Sequence, residues 1–225
     1  MITKRASEHA AGLTVQAGEV ALEGILAVPD TARGIVVFAH GSGSSRFSSR
    51  NRYVARVLYE AGLATLLFDL LTAQEHAIDV ITREFRFDIA LLGTRMIATL
   101  DWLGAETAVA GQPIGLFGAS TGAAAALHAA AARPDRVAAV VSRGGRPDLA
   151  MPELKRVRAP TLLIVGGLDL AVIEMNRAAE RALGAPCRIA VVAGATHLFE
   201  EPGTLEQVAA LARDWFLQYL PAPGS

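Results

Sequence analysis

A serine in the middle of the chain has the local sequence of a catalytic nucleophile. The apolar run 114–117, typical of a strand, leads into residues 118–122, Gly-Ala-Ser-Thr-Gly, and an alanine-rich segment typical of a helix follows. This order fits the Gly-x-Ser-x-Gly nucleophile elbow, in which a strained turn exposes the serine hydroxyl. Glycine-flanked serines occur in many turns. The assignment of Ser120 as a nucleophile therefore depends on finding a base, an acid and an oxyanion site elsewhere in the chain.

Residues that could carry chemistry follow other apolar runs of the sequence. Asp69 comes after the run 63–68, Asp169 follows the run 161–165, and His197 follows the run 187–192. In open sheets of parallel strands, ligands and reactive groups gather outside the carboxyl ends of the strands. We therefore expect a serine, an acid and a histidine at one edge of a sheet, in the chain order serine, acid, histidine.

The alternation of strand and helix patterns predicts an α/β fold. From residue 34 onward each buried strand is followed by a segment of helical periodicity, as in a βαβ series with a mostly parallel sheet of about eight strands and helices on both faces. Alternating residues at 13–16 and 20–28 predict an N-terminal hairpin. No insertion between residues 141 and 160 is long enough for a large cap domain. Helices are predicted at 53–61, 83–103, 121–132, 171–183 and 204–219, with a short helix before residue 157 and an irregular connection at 70–82.

Composition limits the classes of function. The 225 residues have a net charge of -1 and a single cysteine, Cys187. We predict a single domain over 1–225, with a flexible tail at 1–11 and a frayed end at 221–225. Without a basic patch, a membrane-length apolar stretch or a signal peptide, the expectation is a cytoplasmic monomer or homodimer that binds neither nucleic acid nor membrane. No spacing of ligand residues indicates a metal, and nothing indicates a cofactor.

Four short motifs occur at the ends of predicted strands: His-Gly-Ser-Gly at 40–43, Gly-Ala-Ser-Thr-Gly at 118–122, Gly-Gly-Leu-Asp at 166–169 and Gly-Ala-Thr-His at 194–197. With these motifs the chain resembles an α/β hydrolase, and within that fold it is similar to the dienelactone hydrolase family. The resemblance covers residues 13–219. It implies the α/β-hydrolase fold and a hydrolase that acts on a small-molecule ester.

The resemblance also implies roles for individual residues. Ser120 would attack the ester carbonyl, His197 would take the serine proton as general base, and Asp169 would orient His197. The backbone N–H groups of Thr121 and Ser42 would bind the oxyanion of the tetrahedral intermediate. Water would then release the acid from the acyl-enzyme.

The nucleophile departs from the family pattern. Dienelactone hydrolase proper uses a cysteine, whereas this chain has Ser120, and Cys187 opens the last predicted strand. The substitution favours a general carboxylesterase that cleaves small carboxylic esters. A thioesterase or an acyltransferase would use the same residues. A non-catalytic binding protein of this fold is the alternative from a different class, and it would lack an activated serine.

Other titratable residues are alternatives or structural candidates. Glu200 and Glu201 lie close to the predicted base in sequence and are the alternative triad acids. For His40 in the oxyanion loop a buried structural role is favoured over catalysis, and for His128 inside the elbow helix a packing role is favoured. We expect His76 near the mouth of the site.

The oxyanion loop and two arginines are candidates for substrate binding. His40 and Gly41 belong to the loop that carries the oxyanion donor, and the glycine lets this loop fold tightly toward the elbow. Arg46 and Arg143 lie on loops at the carboxyl edge of the sheet, where they could clamp a substrate carboxylate. The alternative for both arginines is a structural tie between loops.

Overall fold

A computed structural model of the protein describes residues 10–220. It contains one sheet, and from the third strand onward its strands alternate along the chain with helices. Numbered in chain order, the strands are β1 (Ala10–Ala17), β2 (Val20–Ala27), β3 (Ile35–Ala39), β4 (Ala64–Phe68), β5 (Ile114–Ala119), β6 (Val137–Arg143), β7 (Thr161–Gly166) and β8 (Cys187–Val192).

The sheet is antiparallel at one edge and parallel everywhere else. Its strand order is β1-β2-β4-β3-β5-β6-β7-β8. The hairpin β1–β2 is antiparallel and adds antiparallel to β4, whereas all remaining neighbours are parallel. Every residue of β3, β4, β5 and β7 is buried, as their unbroken apolar sequences predict for strands covered on both faces. The predicted mostly parallel, eight-stranded α/β-hydrolase fold is confirmed.

Helices cover both faces of the sheet. Residues of α3 and α4 pack into one apolar cluster with β1, whereas residues of α1 and α6 pack into a second cluster on the other face. Each cluster includes side chains from the central strands. The helices are α1 (Ser49–Glu60), α2 (Ala73–Thr82), α3 (Ile89–Leu103), α4 (Thr121–Ala132), α5 (Leu170–Ala182) and α6 (Thr204–Tyr219).

The segment between β4 and α3 differs from the prediction. Residues 70–82, expected to be irregular, contain α2, which begins with a capping box between Thr72 and Glu75. The helix predicted over 83–103 begins only at Ile89, because Arg83 adopts a left-handed conformation with φ of 61° and ends α2. The side chain of Asp88 then caps α3. Residues 83–88 therefore form a turn between α2 and α3.

Smaller differences occur at other boundaries. Residues 10 and 11 of the predicted tail belong to β1, while residues 1–9 and the predicted frayed end at 221–225 lie outside the described residues. The short helix before residue 157 is a kinked 3₁₀ segment, Pro147–Arg156. Within residues 10–220, no helix has the length and apolar character needed to cross a membrane.

Candidate active site

Ser120 occupies a strained turn between β5 and α4. Its φ of 52° and ψ of -121° lie outside the regions that residues with a Cβ favour. A Cβ on Gly118 would lie 2.4 Å from Ala123 Cα, and a Cβ on Gly122 would lie 2.3 Å from the carbonyl oxygen of Ala39. Because backbone atoms occupy the space that a Cβ would need, only glycine fits at these two positions. The strand–turn–helix geometry predicted from the sequence is present.

Asp169 and His197 lie together at the same edge of the sheet. The Nδ1 of His197 is 2.7 Å from Asp169 Oδ2, a distance at which the ring N–H donates to the carboxylate. Asp169 is the N-cap residue of α5, but its side chain makes no capping hydrogen bond. The two loops approach closely, since a Cβ on Gly166 would lie 2.5 Å from the carbonyl oxygen of Ala195.

The two glutamates that follow His197 have other partners. Glu200 accepts a hydrogen bond from Arg50 at 2.9 Å. Glu201 accepts one from the hydroxyl of Thr196 at 2.6 Å and another from the Thr196 backbone N–H at 3.1 Å. Of the three candidate acids, only Asp169 contacts the imidazole, while Glu201 shapes the turn that carries it.

Arg143 and Gly144, at the end of β6, contact both the elbow and the loop after β8 that carries His197, called here the histidine loop. The N–H of Ser120 donates to the carbonyl of Arg143 at 3.2 Å. The next residue, Gly144, has a φ of 52°, and a Cβ there would lie 3.0 Å from the carbonyl oxygen of His197 and 3.6 Å from its Cε1. Among the described residues no hydrogen bond joins Ser120 Oγ to His197. Catalytic hydrogen bonds are often long in free enzymes and tighten when substrate binds.

The oxyanion loop after β3 lies against the elbow. A Cβ on Gly41 would be 3.2 Å from Ser120 Cβ, so this loop passes directly beside the serine. The hydroxyl of Thr121 donates to Ser42 Oγ at 3.4 Å. Within residues 10–220, the backbone N–H groups of Ser42 and Thr121 donate to no backbone carbonyl. These two donors belong to Thr121, which follows Ser120 in the chain, and to Ser42, which follows the Gly41 that packs beside Ser120.

His40 fixes the base of this loop as a neutral ring. Its Nε2 accepts the backbone N–H of Leu70 at 3.0 Å, and its Nδ1 donates to the carbonyl of Gly41 at 3.0 Å. Burial lowers the pKa of His40 below its usual value, although the bond to Gly41 and the charge of Asp69 oppose this shift. The placement favours the structural role expected for this histidine.

Arg46 lies in the wall of a pocket but has a carboxylate partner of its own. Its guanidinium pairs with Asp69 Oδ2, and its backbone N–H donates to Asp69 Oδ1 at 2.6 Å. The guanidinium also stacks over the ring of Phe47, 4.3 Å from the ring centre. These contacts favour the loop tie over the carboxylate clamp.

Arg143 lies beneath the site. Only 4% of it is exposed, and its Nη2 reaches Asn51 Oδ1 at 3.4 Å. Its guanidinium lies 5.9 Å from the ring centre of Phe199, in the histidine loop. Burial, with the charge of Arg50, lowers the pKa of Arg143 to about 10. A side chain so enclosed cannot serve as an open clamp for substrate, and the structure favours the alternative, a tie between loops.

A pocket of about 380 Å³ opens beside the oxyanion loop. Ser42 and Thr121 line it, whereas Ser120, Asp169 and His197 do not, so the pocket lies on the oxyanion side of the serine. His76, expected near the mouth of the site, lines the pocket. Nothing in the sequence indicated that Asp79, Arg86 and Leu92 also line the pocket. Asp79 and Arg86 lie in α2 and the turn after it, where the structure differs from the prediction, and Leu92 lies in α3. In the described part of the chain, no group of three potential metal ligands is found.

Comparison with known proteins places the chain in a family. Residues 22–220 match the dienelactone hydrolase family. A crystal structure of a dienelactone hydrolase from Anabaena variabilis is 57% identical, with a TM-score of 0.91 over 94% of this chain and 98% of that one. The chain belongs to the dienelactone hydrolase family. The serine at its elbow distinguishes it from dienelactone hydrolase proper, which uses a cysteine.

Two other comparisons set the limits of this assignment. Est1E from Butyrivibrio proteoclasticus has a TM-score of 0.78 over 93% of this chain and 98% of that one, but at 16% identity the likeness shows the fold alone. Two Mycobacterium tuberculosis proteins that carry the provisional name phosphoribosyl transferase are 60% identical over 210 residues, 93% of this chain. The chain spans 46% of their length. The single domain over residues 1–225 therefore stays a prediction.

Proposed function

We propose that this dienelactone hydrolase family member is a serine carboxylesterase that cleaves small esters through an acyl-enzyme. The observation that carries the proposal is the placement of a strained serine and a hydrogen-bonded Asp169–His197 pair at one edge of the sheet. In the order serine, acid, histidine, these residues have the arrangement of a nucleophile, its general base and the group that orients the base.

In the acylation step, Ser120 Oγ attacks the ester carbonyl while Nε2 of His197 takes the hydroxyl proton. Asp169 holds the other ring nitrogen and stabilises the imidazolium that forms. The N–H groups of Ser42 and Thr121 donate to the carbonyl oxygen as it becomes an oxyanion, a contribution of about 3–4 kcal/mol for a single donor in other hydrolases. His197 then gives its proton to the alcohol, which leaves.

In the deacylation step, water takes the place of the alcohol. His197 removes a proton from this water, the hydroxide attacks the acyl-serine, and the proton returns to Ser120 Oγ as the carboxylic acid leaves. The proposal needs no cofactor and includes a cytoplasmic location. The transferase name of the Mycobacterium tuberculosis relatives belongs to proteins of about twice this length, and the proposal for this chain does not depend on it.

Turnover of p-nitrophenyl esters by wild type and Ser120→Ala tests the proposal. Loss of a triad serine typically costs on the order of 10⁶ in kcat, so the variant should be inactive while its circular dichroism and thermal midpoint stay those of a folded protein. Ser142→Ala is the matched control, because Ser142 lies near the end of the neighbouring strand β6 and its buried hydroxyl makes no hydrogen bond in the described structure. Activity above a few per cent in Ser120→Ala would refute the assignment.

Labelling with a fluorophosphonate separates the esterase from a non-catalytic binding protein of the same fold. An activated serine reacts covalently with this probe, whereas an ordinary surface serine does not. Wild type and Ser142→Ala should be labelled, and Ser120→Ala should not. A wild type that is folded yet unlabelled would support the binding protein instead.

A further inference from the structure

Arg86 is held rigidly in the pocket wall by a buried carboxylate. Its Nε donates to Asp79 Oδ2 at 2.8 Å, and its Nη2 donates to the carbonyl oxygen of Asp79 at 2.8 Å. The other oxygen, Asp79 Oδ1, accepts the backbone N–H groups of Phe85 and Arg86, each at 2.9 Å. Burial raises the pKa of Asp79, but these hydrogen bonds and the charge of Arg86 outweigh burial and hold its pKa below the usual value.

One nitrogen of this guanidinium remains available. Among the described residues, Nη1 of Arg86 has no hydrogen-bond partner, while the other two nitrogens are bound to Asp79. Nη1 lies 3.1 Å from the position that a Cβ on Gly43 would occupy. Gly43 directly follows Ser42, so a fixed pair of N–H donors borders the oxyanion loop inside the pocket. Donors that are fixed before a ligand arrives lose little conformational entropy on binding.

The charges around the pocket indicate which acceptor these donors suit. Arg46 and Arg86 are each paired with a carboxylate, Asp69 and Asp79. Glu23 adds a further negative charge to the wall, whose other side chains are leucines, alanines, serines, threonines, one phenylalanine and two histidines. The pocket therefore has no uncompensated positive charge, and a free carboxylate would be repelled by the acidic side chains. A neutral oxygen avoids this repulsion and can still accept a hydrogen bond.

The position of the histidine decides which half of the ester enters the pocket. The leaving alcohol must depart beside His197, which gives it a proton. The pocket is lined by the oxyanion residues Ser42 and Thr121 and not by His197. The alcohol therefore leaves outside the pocket, and the acyl group occupies it.

We propose that Nη1 of Arg86 is a specificity-determining donor that binds a neutral oxygen, such as a ketone, hydroxyl or ether, on the acyl chain of the ester. The proposal rests on the esterase function proposed above and names the substrate class for that site. Leu70, Leu71 and Leu92 provide the apolar wall for the carbon chain. The distal oxygen would lie a few bonds from the scissile carbonyl, because Gly43 is adjacent to the oxyanion donor Ser42.

Matched p-nitrophenyl esters provide the test. The acyl groups are hexanoyl, 4-oxohexanoyl, 5-oxohexanoyl and the half-ester of glutaric acid, which differ mainly in the distal group. For wild type, we expect kcat/KM to be about tenfold higher for the better keto ester than for the hexanoate, as one hydrogen bond to a charged donor allows. The glutarate half-ester should react more slowly than that keto ester.

Arg86→Lys is the diagnostic variant, because lysine keeps a positive charge beside Asp79 but lacks the second arm of the guanidinium. The keto-to-hexanoate ratio should fall to within about twofold of unity after intrinsic reactivity is corrected with hydroxide hydrolysis rates. Arg95→Lys is the matched control. Arg95, in α3, likewise donates to a carboxylate of α2, Glu75, at 2.7 Å, but it does not line the pocket. This control should keep the wild-type ratio.

The outcomes separate the inference from the function on which it rests. If wild type hydrolyses none of the esters, or hydrolyses them without Ser120, the esterase proposal fails. If turnover depends on Ser120 but the ratio is near unity or is unchanged by Arg86→Lys, the inference is wrong. A preference for the glutarate half-ester that disappears in Arg86→Lys would also overturn it, in favour of anion binding. If Arg86→Lys does not fold, the double variant Asp79→Asn with Arg86→Gln removes both charges and is measured instead.

Discussion

Asp169 Oδ2 lies 2.7 Å from Nδ1 of His197, although the two residues are 28 positions apart in the chain. The glutamates that are nearest to His197 in sequence point to other partners, Arg50 and Thr196. Proximity in sequence is therefore a poor guide to the acid here. What brings Asp169 to the ring is the parallel pairing of β7 with β8, which places the loops after both strands at one edge.

The first prediction concerns this pair. Asp169→Asn should lower kcat by roughly 10⁴, because an amide favours the wrong tautomer of the imidazole and cannot stabilise its charged form. Glu200→Gln and Glu201→Gln should each change kcat less than about tenfold. Steady-state kinetics on one nitrophenyl ester provide the measurement. If kcat fell by a factor of thousands in a glutamate variant but was unchanged in Asp169→Asn, that glutamate would be the triad acid.

A second prediction concerns the glycine after the nucleophile. A Cβ in Gly122→Ala would lie 2.3 Å from the carbonyl oxygen of Ala39 and 2.5 Å from that of His40, and backbone atoms cannot move aside as a flexible side chain can. Chemical denaturation should show a loss of unfolding free energy of about 1–3 kcal/mol, the usual cost of overpacking. The esterase activity should fall with it, because β3 and the oxyanion loop must shift.

Gly12→Ala is the control for this measurement. No atom lies within 4 Å of the position of its Cβ, in the edge strand β1. Its unfolding free energy should stay within about 0.5 kcal/mol of wild type, as for most surface substitutions. Equal stability of Gly122→Ala and wild type would show that the elbow has more room than the structure indicates.

The strands and the elbow were predictable because their signals are local. Apolar runs specify β3, β5 and β7, and the residues that follow β5, β7 and β8 name the candidate nucleophile, acid and base. The α2 helix also has a local signal, the threonine and glutamate of a capping box at Thr72 and Glu75. It was missed because the segment is short and only Asp79 in it is buried, so that its apolar pattern is weak.

The arginines could not be assigned from sequence, because their roles depend on contacts between distant segments. Arg46 meets Asp69 across 23 positions, and Arg143 meets Asn51 across 92. Arg86 was placed inside a predicted helix, and only the left-handed Arg83 turns that segment toward the pocket. A side chain's partner, rather than its position after a strand, decides whether it can bind substrate.

A third prediction concerns the single cysteine. Burial of Cys187, together with the charge of Glu180, raises its pKa to about 12, so the nucleophilic thiolate is scarce at neutral pH. It also lies at the amino end of β8, away from the carboxyl edge. Iodoacetamide at pH 7.5 should therefore leave the esterase activity intact, and the thiol should alkylate readily only after denaturation. Inhibition that Cys187→Ser abolishes would place this thiol at the site.

The last prediction concerns the pH dependence of stability and rests on His40. The N–H of Leu70 donates to Nε2 of this ring, so the ring must be neutral for both of its hydrogen bonds to form. Burial lowers the pKa of His40 below the value of 6.5 that an unfolded chain would have. At a pH above 6.5 the ring is neutral in both states and its contribution to stability is complete.

As the pH falls below 6.5, the unfolded chain binds a proton that the folded protein does not, and stability is lost until the pH reaches the folded pKa. The free energy of unfolding should then decrease by up to about 1.4 kcal/mol per pH unit for this one proton. His40→Asn cannot titrate, so it should be less stable than wild type at pH 8, and the difference between the two should shrink as the pH falls from 7 to 5. Urea denaturation at each pH measures the free energy of unfolding of both proteins. Taking the difference between them cancels the effect of the carboxylates, which titrate in both proteins. A difference that stays constant or grows toward pH 5 would mean that the folded protein holds His40 in its charged form.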